Sequence, residues 1–163
     1  MRNLMGLTLP LLALLAGCSG SKAAQNYEKT DNGVIVRPSD EGAAAVRLQV
    51  VTDGIIRVSA DPDGDFERSP SLMRVGDGAS AAKFEVASTE GKLRLSTAEV
   101  TAEVSLQNGQ VSFLDKQGKP MLSEVAGGRS FAPLEVEGTS YLSVRQRFES
   151  PDDEAIYGFG QHQ

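Results

Sequence analysis

The sequence holds a single cysteine, a single histidine and no tryptophan among its 163 residues. One thiol cannot close an internal disulfide, and one Cys with one His cannot furnish the four Cys and His ligands of the usual zinc site. Aromatic residues make up only 6% of the chain, as 3 Tyr and 6 Phe. No platform of stacked indoles is therefore available to a sugar ring, and only weaker stacking remains. Positive charge is also scarce: 16 Lys and Arg stand against 22 Asp and Glu, for a formal net charge of −6. With no basic face to neutralise a phosphate backbone, nucleic acid is not an expected partner. No window after residue 20 shows the apolar spacing of an amphipathic helix, and no internal repeat or long low-complexity tract is present. What remains, 40% hydrophobic and 23% charged, suits one globular domain, which at this size buries about two thirds of its surface.

The first segment reads as an address. Behind Met1 and Arg2, residues 4–16 form a leucine-rich apolar run interrupted by Gly6, Thr8 and Pro10. It is shorter than the roughly 20 residues of a permanent membrane helix and fits the core of a secretory signal. The run meets Leu15-Ala16-Gly17-Cys18, which resembles the bacterial lipoprotein lipobox. That resemblance implies cleavage before Cys18 and a diacylglycerol on its thiol, each buried methylene adding about 0.8 kcal/mol to the hold on the membrane. Ser19 stands where an aspartate resembles an inner-membrane retention signal, so the expected location is the outer membrane or its periplasmic face. The plain alternative is an ordinary cleaved signal followed by a chance cysteine. Residues 1–17 are thus read as a lipoprotein signal peptide and 18–30, small and polar, as a flexible tether that packs on nothing.

From Ala45 the pattern changes to period-2 alternation, the signal of half-buried strands. Val46, Leu48 and Val50 fall on one face, Arg47 and Gln49 on the other. Thr52-Asp53-Gly54 turns the chain into a second run over residues 55–60, which predicts a hairpin. Residues 83–86 and 92–95 alternate likewise across Glu90-Gly91. The clearest alternation sets Val100, Ala102, Val104 and Leu106 against Glu99, Thr101, Glu103 and Ser105. Asn108-Gly109 then predicts a type I′ turn with two positive-φ residues, after which Val111 and Phe113 resume the alternation. Asp115-Lys116-Gln117-Gly118 is a further turn. Leu142, Val144, Gln146 and Phe148 form a last strand with Arg145 and Arg147 outward. Some seven short antiparallel strands that must cover one another's apolar faces predict an all-β fold, an antiparallel β-sandwich spanning residues 31–163.

Candidate chemistry is sparse. Acids alternate through Asp61, Asp63, Asp65 and Glu67 and could offer oxygens to calcium. However, Gly64 stands fourth where an EF-hand loop has glycine sixth, and Leu72 occupies the twelfth position where that loop needs an acid. Pro, Asp and Gly are what a solvated turn requires, and that is the reading adopted. Pro151-Asp152-Asp153-Glu154 is a second acidic cluster, but adjacent carboxylates on one turn do not flank a glycosidic bond. Gly158-Phe159-Gly160 lacks the serine of a nucleophile elbow, and His162 has no nucleophile partner. No catalytic residue, metal site or cofactor is expected.

The end of the chain, Tyr157-Gly158-Phe159-Gly160-Gln161-His162, resembles a segment of the amino-terminal sandwich of family 31 glycoside hydrolases, bacterial α-xylosidases in particular. Residues 144–148 before it, the strand Gly54-Ile55-Ile56-Arg57-Val58 and the run 111–118 are similar to strands of the same domain, so the resemblance covers residues 31–163. It implies a galactose-mutarotase-like β-sandwich packed on a (β/α)₈ barrel that carries both catalytic aspartates. That barrel is not in this sequence, which stops before even the implied sandwich should be finished and is therefore read as a truncated amino-terminal portion with an incomplete sandwich, inactive alone. The implied parent is a retaining enzyme acting on an oligosaccharide of xyloglucan type or on an α-glucoside. Gln161 and His162 match the motif by position, and bracing of sandwich against barrel is preferred to substrate contact. The glycines need nothing beyond a tight turn with positive φ. The alternative function is a stand-alone carbohydrate-binding or structural sandwich lipoprotein, whose aromatic candidates are Tyr27, Tyr141, Tyr157 and Phe159.

Overall fold

The computed structural model describes residues 26–67, 82–155 and 158. Within them the chain is all-β and every paired strand is antiparallel. Strands β1 (Tyr27–Thr30), β2 (Gly33–Val36), β3 (Ala45–Thr52) and β4 (Ile55–Asp61) make one sheet in chain order. Strands β5 (Glu85–Thr89), β6 (Lys92–Ser96), β7 (Val100–Ser105), β8 (Val111–Asp115) and β9 (Pro120–Ser123) make a second, also in chain order. The last two, β10 (Ser130–Val136) and β11 (Thr139–Arg145), pair only with each other.

The registers show why the sequence folds this way. Val34 lies opposite Leu48 and Val36 opposite Val46; Leu48 in turn faces Val58, and Val50 faces Ile56. In the second sheet Leu93 is paired with Val104 and Leu95 with Ala102, and Val104 continues to Val111. Alternation thus gives each sheet one apolar face, and the two faces close on each other as a single buried cluster. Val34, Leu48, Leu93, Leu95 and Val104 are fully inaccessible, and each contributes about 1.5–3 kcal/mol of burial. The outward faces are polar: Glu103, opposite Arg94, receives its Nε at 2.8 Å and Lys92 Nζ at 3.4 Å.

Hydrogen bonds stitch the sheets together at both ends of β7. Beyond its start, Thr97 Oγ1 bonds the carbonyl of Asp53 in the β3–β4 turn and accepts the N–H of Val100 at 3.1 Å. Beyond its end, Ser39 N and Asp40 N donate to the carbonyls of Leu106 and Gln107 at 2.9 and 2.8 Å.

That second seam corrects the turn expected at Asn108-Gly109. Only Gly109 takes a positive φ, +74°, in a wider loop over residues 106–109. It is closed by Gly109 N to Ser105 O and Ser105 N to Gln110 O, both 2.9 Å. A two-residue I′ turn would not offer the Leu106 and Gln107 carbonyls to the other sheet. The two-residue loops with positive φ at both positions are Glu90-Gly91 and Glu137-Gly138, the geometry that matches strand twist.

Two further expectations change. Residues 27–30, read as the end of a tether, are instead a strand: Tyr27–Thr30 is β1, paired with β2 from Tyr27↔Val36 to Thr30↔Gly33, and Tyr27 packs against the core. Its alternation was too brief to register as a strand, and only the edge of β2 makes it one. The last strand, read as contributing to the core, does not: Leu142 is 49% and Val144 63% exposed, because β11 joins neither main sheet. The predicted hairpins over 46–60, 83–95 and 100–113 and the turn at 115–118 are all present.

Candidate functional site

The acidic loop after β4 uses its carboxylates on its own backbone. Asp61 Oδ1 accepts the N–H groups of Asp63 at 2.9 Å and Asp65 at 3.1 Å, and Asp65 Oδ1 accepts that of Glu67 at 3.2 Å. Arg47, on the polar face of β3, holds the loop down. Its Nη1 lies 2.7 Å from Glu67 Oε1, its Nη2 donates to Phe66 O at 3.2 Å, and its guanidinium carbon sits 4.8 Å from the Phe66 ring centroid. This is a turn clamped to a sheet by an ion pair and a cation–π contact. Among the described residues no three Asp, Glu, His or Cys side chains converge as metal ligands would. The second acidic cluster is an exposed turn, with Glu154 N bonded to Pro151 O at 3.0 Å and Ser150 Oγ donating to Glu154 Oε2 at 2.7 Å.

Of the aromatic candidates, the two described residues lie in different sheets. Tyr27 is half-buried on β1, whereas Tyr141 is 54% exposed on β11. A surface cavity of about 190 Å³ between Arg37, Ala43, Ala45, Pro62 and Asp63 falls short of the roughly 300–1,000 Å³ of ligand pockets. Of the carboxyl-terminal motif, Gly158 has φ +90°. Tyr157, Phe159, Gly160, Gln161 and His162 lie outside the described residues, as do Cys18 and the leader.

The most organised polar group is one that sequence reading did not single out. Glu124, just past β9, is 6% exposed. Its Oε2 accepts the N–H of Val111 at 3.0 Å, and its Oε1 is ion-paired with Arg129 Nη2. Arg129 also donates from Nη1 to the carbonyl of Gly109 at 3.2 Å and from Nε to Gln146 Oε1 at 3.0 Å. Alongside, Val125 N reaches Arg147 O at 3.0 Å, Arg147 N reaches Gly128 O at 3.1 Å, and Glu149 N reaches Ser123 O at 2.8 Å. One guanidinium therefore ties together the β7–β8 loop, the edge beyond β9 and the segment leaving β11. The arrangement has no nucleophile and no open acid or base: it is a structural tie, and it fixes where β10–β11 departs from the sandwich. No spacing signal marks Glu124 and Arg129 beforehand, since four residues, Gly127 and Gly128 among them, separate the two and their other partners lie elsewhere in the chain.

The family model of the glycosyl hydrolase 31 N-terminal galactose mutarotase-like domain matches residues 45–163. The chain belongs to that family. This galactose mutarotase-like domain is similar to the crystal structure of a GH31 α-xylosidase from Xanthomonas citri, at 67% identity and a TM-score of 0.75, over 83% of this chain and 15% of that one. A GH31 α-xylosidase from a soil metagenome, crystallised with xylose, shares the fold at 24% identity and a TM-score of 0.64, over 84% of this chain and 22% of that one. A curated sequence, the chaperone protein DnaJ of Brucella anthropi, is 28% identical over 123 residues, which is 72% of this chain and 32% of the chaperone. At that identity, and across less than a third of its length, it transfers no activity to the domain. The domain spans only a minor part of each of these relatives, and it corresponds to the amino-terminal part of the α-xylosidases.

Proposed function

We propose that this domain is the non-catalytic amino-terminal sandwich of a retaining family 31 glycosidase acting on α-xylosides or α-glucosides. The observation that carries the reading is the 67% identity to the Xanthomonas citri α-xylosidase over 83% of the chain. The tied-down, acid-poor interior supports it: the carboxylates described above serve backbone groups and ion pairs or, for Glu154, the neighbouring Ser150 hydroxyl. Such a domain supports a barrel that supplies the nucleophile and the acid/base, held about 5–5.5 Å apart in retaining enzymes. Gln161 and His162 brace the sandwich against that barrel. Purified chain of residues 18–163 is expected to show no turnover of aryl α-xylosides or aryl α-glucosides. Turnover abolished by a point change within these residues would overturn the assignment.

The same proposal places the domain on the outer membrane, or on its periplasmic face, through acylated Cys18. The support is the lipobox-like Leu15-Ala16-Gly17-Cys18 and a small, polar spacer long enough to free the first strand from the surface. Growth with a clickable palmitate analogue is expected to label the chain in the membrane fraction and to leave Cys18→Ser unlabelled. Unlabelled protein in the periplasmic supernatant would refute the anchor.

A further inference from the structure

An Asn or Asp followed by glycine is a place where a backbone can rearrange unaided. The glycine nitrogen attacks the side-chain carbonyl carbon, a C–N bond forms, and ammonia leaves from Asn or water from Asp. Water then opens the cyclic imide at either carbonyl and yields aspartate or isoaspartate. Glycine favours the step because it has no β-carbon to obstruct the approach of its nitrogen. Among the described residues four such pairs occur, Asn32-Gly33, Asp53-Gly54, Asp63-Gly64 and Asn108-Gly109, and Asp77-Gly78 lies outside them. In an unfolded chain at neutral pH the two asparagines react first, since an ionised carboxylate is a poorer electrophile than an amide.

The fold treats the four pairs unequally. Gly33 is buried and paired with Thr30 across the β1–β2 hairpin, and the carbonyl of Asn32 is held by the N–H of Val50 at 2.7 Å. Gly109 is buried too; its N–H is engaged by Ser105 O at 2.9 Å, and Asn108 Oδ1 accepts the N–H of Gln110 at 3.0 Å. Gly64 N donates to Asp61 O at 3.3 Å. At Asp53-Gly54, by contrast, both residues are exposed. Among the described residues no hydrogen bond or ion pair engages the Asp53 carboxylate or the Gly54 nitrogen. We infer that Asp53 is a modification site, the position at which the folded chain isomerises to isoaspartate ahead of both Asn-Gly pairs. The isomer routes the backbone through the β-carbon of Asp53 and so adds a methylene to the two-residue turn between β3 and β4. The Asp53 carbonyl in that turn accepts the Thr97 hydroxyl, so the added length falls on the seam that joins the two sheets. The inference stands on geometry alone and does not depend on the family reading.

The test ages the purified chain in neutral buffer, one portion folded and one in urea, and samples both over the same period. Peptide mapping with electron-transfer fragmentation counts isoaspartate at each of the four sites, and the gain of mass from replacing an amide by a carboxylate counts deamidation. In the folded portion Asp53 is expected to accumulate isoaspartate several-fold faster than modification appears at Asn32, Asp63 or Asn108. In urea Asn32 and Asn108 are expected to overtake it. Gly54→Ala, whose β-carbon would meet the end of the Glu99 side chain, Oε2 at 2.8 Å, is expected to suppress the Asp53 product several-fold. That variant is read in urea as well, so the result does not depend on its folding. A folded chain modified first at Asn32, Asp63 or Asn108 would overturn the proposal. So would an Asp53 still intact when the urea portion has reacted to completion, or a yield at Asp53 that Gly54→Ala leaves unchanged in urea.

Discussion

Arg129→Ala is expected to cost about 3–5 kcal/mol of folding stability, a figure typical of removing one partner from a buried ion pair. The reason is geometric. Glu124 is 6% exposed and its Oε1 is ion-paired with Arg129, so truncation leaves a charge in the interior with no cation opposite it. The same cut frees the carbonyl of Gly109 and the amide of Gln146, loosening the β7–β8 loop and the root of the β10–β11 pair together. Against a typical domain stability of 5–15 kcal/mol, the loss would move the urea midpoint far down. A second variant separates charge burial from lost packing. Glu124→Gln with Arg129→Met removes both charges, keeps an acceptor for the N–H of Val111, and is expected to recover most of the loss, because matched removal of a buried pair is often close to neutral. If Arg129→Ala stays within about 1 kcal/mol of the native chain, where a surface pair would sit, the tie has been misjudged.

Gly33→Ala is expected to cost about 3 kcal/mol, at the upper end of the range for overpacking. A β-carbon at this position would lie 1.9 Å from the carbonyl oxygen of Leu48 and 2.9 Å from its carbonyl carbon. Both are backbone atoms of the neighbouring strand, so relief requires β2 to move away from β3. Val34 and Val36, fully buried on β2, and the attached β1 would shift with it. The sign is what makes the measurement informative, because Gly to Ala at a position of compatible geometry ordinarily stabilises by about 0.4–1 kcal/mol through the unfolded state. Urea unfolding combined with amide exchange on β2 and β3 reads both the loss and its place. Unchanged protection at Val34 and Val36 would show that the strands accommodate a methyl group there.

The strands themselves were legible because a strand is specified by period-2 alternation, a local property. Val46, Leu48 and Val50, and Val100, Ala102 and Val104, point inward as their alternation requires. Turn chemistry was legible where only the turn mattered: Glu90-Gly91 takes positive φ at both positions. It was misleading at Asn108-Gly109, where two carbonyls of the loop serve Ser39 and Asp40 of the opposite sheet, a demand that lies some seventy residues away along the chain. Alternation in β11 was equally real, but whether an apolar face is covered depends on what lies across from it.

The order of residues alone therefore determined an all-β chain, its main hairpins, the polar character of its acidic loops and, through its closing motif, its family. Tertiary structure decided the rest: that Tyr27–Thr30 is a strand, that Gly33 admits no side chain, that Glu124 and Arg129 meet, and that β10–β11 stands clear of both sheets. The division follows from range. Backbone preference and alternation act between neighbours, whereas burial, ion pairing and close approach depend on segments that only folding brings together.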